Sequence, residues 1–434
     1  MKVALIGSGL AAIGALTALK RNNVEIYQFL AQQHQVNPIT HRVYTGDGKL
    51  ILHKSDSNLN ELRLKLENNN DITINEGKKI SGLISSNSIG GLSNFWGGSS
   101  RRLLQSESKK FISSGLDLKD SYDEVLNFIG NKRSQDKVFL TKEEKKTQAR
   151  WVSTNNLNNK NSDDIFSSKT FINNLNIKKI PRSVVNISSE KNGVKITHKD
   201  SLTIEDSLYD YVLVAAGAIA SPIIASKLTE TPLSTALLLN EQRFFLARYN
   251  FESSVVEFNK GNSGPPSIIL EIDRFSYYVQ LYPLESLYPL KFLKANKIKE
   301  SGYLVGYIYN QFNNSNTILM NSQKSSINFK INKSHKIIKN NLEIKSSLRD
   351  EGIRIIGPFF DLMTGSSQHL SSGLTKEFNP LNKMESLTSD FNYKGHERVI
   401  FVDSSIMPFT PLSTIGLTSM ACANSVTKRW LTGI

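Results

Sequence analysis

Three glycines near the N-terminus lie in the run Gly7-Ser8-Gly9-Leu10-Ala11-Ala12-Ile13-Gly14. The chemistry this spacing serves is anion binding. The first glycine permits a tight turn after a strand, and the second lets the backbone approach a pyrophosphate. The N–H groups that open the following helix add a partial positive charge. Gly14 falls two residues later than the third glycine of the usual dinucleotide fingerprint, and Ala12 occupies the usual place. A glycine turn without a ligand is the competing reading. The apolar strand Val3-Ala4-Leu5-Ile6 before the turn and the small-residue helix after it favour the nucleotide. The acidic residue that ends the second strand in that fingerprint and binds a ribose hydroxyl is missing. Gln28 stands at the matching position and Glu25 comes too early. Either Gln28 makes a weaker hydrogen bond to the ribose, or the register is shifted.

The next dense cluster is Ile89-Gly90-Gly91-Leu92-Ser93-Asn94-Phe95-Trp96-Gly97-Gly98. Glycines there let the backbone pass close to a flat ligand. A flexible surface loop is the alternative, but leaving Phe95 and Trp96 in water would be costly, which argues for a packed turn beside a ligand.

These residues need a scaffold. Val3 to Ile6, a helix over Ala11 to Arg21 and a strand over Val24 to Tyr27 make one βαβ start. Tyr211-Val212-Leu213-Val214-Ala215-Ala216-Gly217 reads as a second buried strand running into a glycine turn, and Val399-Ile400-Phe401-Val402-Asp403 as a third. Three such strands separated by long insertions predict one parallel sheet built from distant pieces. Between about Ala236 and Phe360 the pattern changes to β-rich runs, as at Tyr277 to Tyr282, Tyr303 to Tyr309 and Ile327 to Ile331, which predicts a mainly antiparallel sheet. Asn131 to Asn161 is Lys/Asn/Gln-rich and reads as surface helix and loop, a candidate lid. Asn155 to Lys169 and Asn332 to Lys345 read as Lys/Asn-rich surface stretches, and there is no internal repeat.

The 434 residues allow two to three domains, and 39% apolar with 21% charged residues is ordinary for a folded chain. One cysteine, Cys422, excludes an internal disulfide, and seven histidines without paired spacing suggest no metal site, so a cytoplasmic protein is expected. Lys2 followed by Val3 to Leu19 imitates a secretory signal, but the glycine spacing and the strand that follows argue against one. No stretch is long and apolar enough for a membrane helix, since Leu213 to Ala225 is short and holds Pro222. The net charge of +14 favours an anionic partner or substrate, although scattered surface lysines explain it as well. No nucleic-acid-binding signature accompanies it.

Taken in order, the N-terminal glycine motif, the Gly90 to Gly98 segment, Val212 to Pro222 and the block from His369 to Val426 resemble the glucose-methanol-choline (GMC) oxidoreductase family. The most telling parts are Phe401-Val402-Asp403-Ser404-Ser405-Ile406-Met407-Pro408 and Leu417-Thr418-Ser419-Met420-Ala421. The resemblance covers about a third of the chain by these motifs. The form of the glycine-rich segment is similar to the pyranose oxidase and sugar dehydrogenase branch.

The resemblance implies an α/β fold, α+β overall: a Rossmann-like FAD-binding domain assembled from discontinuous segments, with an inserted, mainly antiparallel substrate domain. The expected division is 1–110, 181–235 and 361–434 for FAD binding, 111–180 as lid or linker, and 236–360 for substrate. Gly7, Gly9, Leu10, Ala11 and Gly14 would hold the pyrophosphate, with Gln28 at the adenosine ribose. Gly91, Ser93, Asn94, Phe95 and Trp96 would lie by the flavin ring, and Val184 or Val185 would contact adenine. Ala216, Gly217 and Asp403 would lie near the pyrophosphate and ribityl chain, and Thr414 and Ile415 at the start of the last helix, expected from about Leu417 onward. Phe95 stands where some relatives tether flavin through a histidine, so non-covalent FAD is implied.

His369, in Gly365-Ser366-Ser367-Gln368-His369-Leu370-Ser371-Ser372-Gly373, resembles the family's catalytic histidine, with one extra residue before the glycine. An imidazole of ordinary pKa, about 6.5, can take a hydroxyl proton while hydride leaves the same carbon for flavin. A solvated loop histidine is the alternative. Thr414, with Ser413 beside it, replaces the second catalytic Asn or His; a hydroxyl can hydrogen-bond the substrate oxygen but is a poor base. The implied activity is oxidation of CH–OH in an alcohol or sugar-like molecule, a phosphorylated or nucleotide-linked sugar included. Desaturation, isomerisation and a non-catalytic binding role are the rivals.

Overall fold

A computed structural model describes residues 1–20, 22, 24–30, 42–44, 50–52, 73–74, 89–94, 99–130, 138–139, 149–152, 155–156, 166–200, 202–228, 237–241, 243–251, 267–272, 275–282, 301–309, 316–321, 326–330, 336–361, 370–371, 374, 387–412 and 415–434. Its centre is the apolar strand Lys2–Ile6, buried from Val3 onward. A strand apolar on both faces needs cover on both, the usual situation of a parallel sheet. Lys2–Ile6 pairs in parallel with Glu25–Phe29 on one side and with Tyr211–Val214 on the other. Lys178–Ile180 extends the sheet beyond Glu25–Phe29, and His396–Phe401 extends it beyond Tyr211–Val214, again in parallel. Asn392–Tyr393 closes that edge antiparallel. The parallel sheet is thus assembled from three distant stretches of chain, as the apolar runs predict.

The helix Leu10–Leu19 is buried at every position from Ala11 to Leu19. It packs against the last helix, Ile415–Thr432, and against Lys119–Phe128. A helix apolar all round belongs inside a protein. At its crossing with the last helix, a Cβ on Gly14 would lie 1.9 Å from the Met420 carbonyl oxygen. Only a missing side chain allows this approach.

The second large unit is a seven-stranded antiparallel sheet in the order Ile353–Asp361, Arg243–Phe251, Ser301–Tyr309, Phe275–Tyr282, Ser267–Ile272, Ala149–Val152, Val138–Phe139. The period-2 alternation sorts its side chains. Ile268, Leu270, Ile272, Tyr277, Val279 and Leu281 share a core with Ile344 and Leu348 of the helix Lys336–Asp350. Ile269 and Tyr278, one residue out of phase, belong to the core of the parallel-sheet unit. A five-stranded sheet of Leu370–Ser371, Leu237–Glu241, Asn316–Asn321, Ser326–Lys330 and Thr73–Ile74, and a meander of Ser183–Glu190, Gly193–Lys199 and Ile204–Tyr209, complete the larger sheets.

The mixed α/β class with parallel and antiparallel sheets agrees with the expectation. Details differ. The Lys/Asn-rich stretch from Asn332 holds the helix Lys336–Asp350, because Ile344 and Leu348, one turn apart, face the sheet. Val138–Phe139 and Ala149–Val152 are sheet strands where composition predicts helix and loop. Phe111, Leu116, Tyr122 and Val125, within the stretch expected as lid or linker, are core residues. The last helix begins at Ile415, two residues before the expected Leu417. Among the described residues no helix is long and apolar enough to cross a membrane.

Candidate functional site

The first βα turn fixes the site. Gly7 has φ +116°, a conformation that L side chains rarely adopt, and a Cβ there would meet the Ala215 carbonyl oxygen at 2.2 Å. Its N–H donates to the Phe29 carbonyl at 3.1 Å. Gly9 caps the helix Leu10–Leu19 without a side-chain hydrogen bond to the first turn, and a Cβ on Gly9 would find open space within 4 Å. A helix N-terminus with no capping side chain and space in front of it suits an anion. Leu10 and Ala11 open that helix, whereas Gly14 serves the crossing with Met420.

Gln28 is not the residue that follows the second strand. It is the fourth residue of Glu25–Phe29, paired with Leu5 and buried. Its side chain nevertheless reaches the first turn: Nε2 donates to the Gly7 carbonyl at 2.8 Å. Only the amide nitrogen can donate there, so Oε1 is left as an acceptor, and it has no hydrogen-bond partner. A buried acceptor beside an uncapped helix N-terminus fits a ligand hydroxyl.

The glycine-rich segment folds onto the same turn. Gly90 N–H donates to Ser8 Oγ at 3.0 Å, and a Cβ on Gly91 would lie 3.6 Å from Gly9 Cα. Ser93 Oγ donates to the Gly90 carbonyl at 2.6 Å and accepts from Ser168 N–H at 3.1 Å. The Ser93 hydroxyl therefore holds the turn Gly91–Asn94 in shape. Phe95 and Trp96 lie outside the described residues.

Asp403 ties two strand ends together. Its Oδ2 accepts from Gly217 N–H at 2.8 Å and from the Ser221 hydroxyl, and Oδ1 accepts from Ser405 N–H at 2.9 Å. Burial pushes its carboxyl above the usual range, against these hydrogen bonds. Gly217, at φ +94°, and the half-buried Ala216 form the turn after Tyr211–Val214 that this carboxylate anchors. Val184 pairs with His198 and Asn186 with Thr197, which puts Val185 at a bulge of its strand.

His369, Ser413 and Thr414 lie outside the described residues, but their neighbours are joined. Ser371 Oγ and Thr410 Oγ1 are 2.6 Å apart and buried, and Leu374 N–H donates to the Ser405 carbonyl. Leu370–Ser371 is thereby fastened to the segment that leads to Ile415. Thr418 Oγ1, in the first turns of the last helix, lies 3.1 Å from Tyr122 OH.

Two residues escaped the sequence reading. Glu107 is buried. Its Oε2 accepts from Leu104 N–H at 2.9 Å and its Oε1 from Leu412 N–H at 2.6 Å, next to Ser413. Burial raises its pKa, opposed by those two hydrogen bonds and by the charge of Arg101. The faint signal was a Glu three residues after a helix cap, obscured because the cap is Leu104 rather than Ser or Thr. Arg101, 4% exposed, carried no signal at all. Among the described residues no group of three or more His, Cys, Asp or Glu could hold a metal.

No known family pattern matches the sequence, and no curated protein matches it. In three dimensions the chain is similar to pyridoxine 4-oxidase from Mesorbium loti, with a TM-score of 0.59 over 99% of each chain and 13% identity. At that identity the likeness speaks for the fold.

Proposed function

We propose that this chain is an FAD-dependent oxidoreductase that oxidises a CH–OH group of a small molecule to a carbonyl. The observation that carries the reading is the meeting of four distant segments at one end of the parallel sheet. Gly90 binds Ser8, Gly7 packs on Ala215, and Asp403 binds Gly217. The fold it shares with an oxidase of pyridoxine favours the redox reading.

The residues present fit the cofactor. The uncapped N-terminus at Gly9, Leu10 and Ala11 suits its pyrophosphate, and the unpartnered Gln28 Oε1 suits a ribose hydroxyl. Gly91, Ser93, Asn94, Val185, Ala216, Gly217, Asp403 and Ile415 complete the proposed contacts, with Phe95 and Trp96 following the Gly91–Asn94 turn. Phe95 offers no histidine for attachment, so binding is non-covalent. Bound FAD would supply the hydride acceptor. The FAD unit comprises 1–110, 181–235 and 361–434, and 236–360 forms the substrate wall.

His369 takes the substrate hydroxyl proton on its neutral imidazole. Thr414 and Ser413 hold the substrate oxygen by hydrogen bonds, and Glu107 steadies their segment through Leu412. The positive end of the helix Ile415–Thr432 favours negative charge near its start.

An anaerobic panel of alcohols and sugars, read as loss of flavin absorbance, tests this. At least one donor should bleach the wild type, and His369→Ala should slow that bleaching by about a hundredfold or more. Equal rates in the two proteins would remove His369 from the chemistry.

A further inference from the structure

We infer that the substrate carries a carboxylate and that Arg101 receives it. Arg101 is the one Lys or Arg buried among the described residues. It follows the strand Ser99–Ser100, which pairs with Asn155–Asn156 and packs against the last helix. Its guanidinium lies over the ring of Tyr278, 6.0 Å from the centroid. Tyr278 sits on the face of the seven-stranded sheet that enters the parallel-sheet core. Arg101 therefore stands where the proposed substrate wall meets the proposed cofactor unit.

A cation–π contact engages the charge of a guanidinium and consumes none of its N–H donors. Nη1 has no hydrogen-bond partner. The neighbouring Glu107 feels the charge of Arg101 but gives one oxygen to Leu104 N–H and the other to Leu412 N–H. Tyr278 OH is occupied as well, donating to Ser267 Oγ and accepting from Gln280 Nε2, each at 3.2 Å. A buried cation without a hydrogen-bonded partner is costly, and such a group in a folded protein calls for an explanation. A partner that arrives with the ligand supplies one.

The planar fork of arginine matches a carboxylate in charge and shape. A single buried cation balances a monoanion, whereas a phosphate dianion would need a second one. The overall charge of +14 steers anions toward the chain. Glu107 connects this neighbourhood to Leu412, one residue before Ser413.

The inference rests on the oxidoreductase reading for the word substrate, and its test separates the two. Calorimetric titration of wild type, Arg101→Gln and Arg101→Lys with 4-(hydroxymethyl)benzoate and with its amide, 4-(hydroxymethyl)benzamide, would be run on samples of measured flavin content and melting temperature. Wild type should bind the carboxylate about tenfold or more tightly than the amide, as charge-assisted hydrogen bonds allow. Arg101→Gln should bind both alike, and Arg101→Lys should keep part of the preference. Should Arg101→Gln fail to fold, weakened carboxylate binding by Arg101→Lys decides in its place. No preference in wild type, or an undiminished preference in the variants, would overturn the inference. Flavin-free protein that still prefers the carboxylate would support the Arg101 site and count against the oxidoreductase reading alone.

Discussion

Glu107 and Leu412 are joined across 305 residues of sequence by a 2.6 Å hydrogen bond from the Leu412 N–H to Glu107 Oε1. The other oxygen caps the helix Gln105–Ser113 through Leu104 N–H, so one buried side chain connects that helix to the residue before Ser413. Glu107→Gln keeps the volume but turns an N–H donor toward one of two N–H donors. It should lower kcat more than it raises KM while flavin content holds. Glu107→Ala leaves both N–H groups unpaired at about 1–3 kcal/mol each. Denaturant unfolding, compared with steady-state kinetics of the Gln variant, checks both outcomes.

The same carboxyl makes stability depend on pH. Burial raises its folded pKa above its ordinary value of 4.5. The folded state then holds its proton longer than the unfolded state, so this contribution is complete below pH 4.5 and is lost as pH rises through the folded pKa. The melting temperature of wild type relative to Glu107→Gln should fall as pH increases over that window. A constant difference would show that the two hydrogen bonds offset burial, and a difference that grows with pH would show that they outweigh it.

Gly14→Ala places a methyl group 1.9 Å from the Met420 carbonyl oxygen, in a crossing where the three nearest atoms all belong to the Met420 backbone. Helix Leu10–Leu19 and the last helix must separate, at about 1–3 kcal/mol. The urea midpoint should drop accordingly, whereas Gly9→Ala, which meets open space, should leave the fold intact and weaken flavin retention.

Gln28→Leu removes both the hydrogen bond to Gly7 and the free Oε1. Reconstitution of flavin-free protein, followed by fluorescence quenching, should give a Kd for FAD about tenfold higher. An unchanged Kd would place the ribose elsewhere.

Much of the fold was legible because its signals are local. Val3 to Ile6, Tyr211 to Val214 and Val399 to Phe401 are short apolar runs next to glycine or aspartate turns, and they became neighbours in one sheet. The helix Lys336–Asp350 was obscured because the stretch is Lys/Asn-rich and Leu348, which shares a core with Ile344, lies past its apparent end. Val138–Phe139 is too short to show a period. The end of the strand Glu25–Phe29 was obscured because Gln28, a polar residue inside a buried strand, looks like the strand's end. Glu107 and Arg101 were invisible for another reason: their partners are Leu412 and Tyr278, contacts that only the tertiary structure creates.

The proposed function requires the turn at Gly7 and Gly9 to hold FAD, without a covalent bond. An absorption spectrum of the purified protein, taken before and after acid precipitation, tests it most directly. Flavin bands should pass into the supernatant, where chromatography identifies FAD. A colourless protein that FAD fails to reconstitute would contradict it, as would flavin that remains in the pellet.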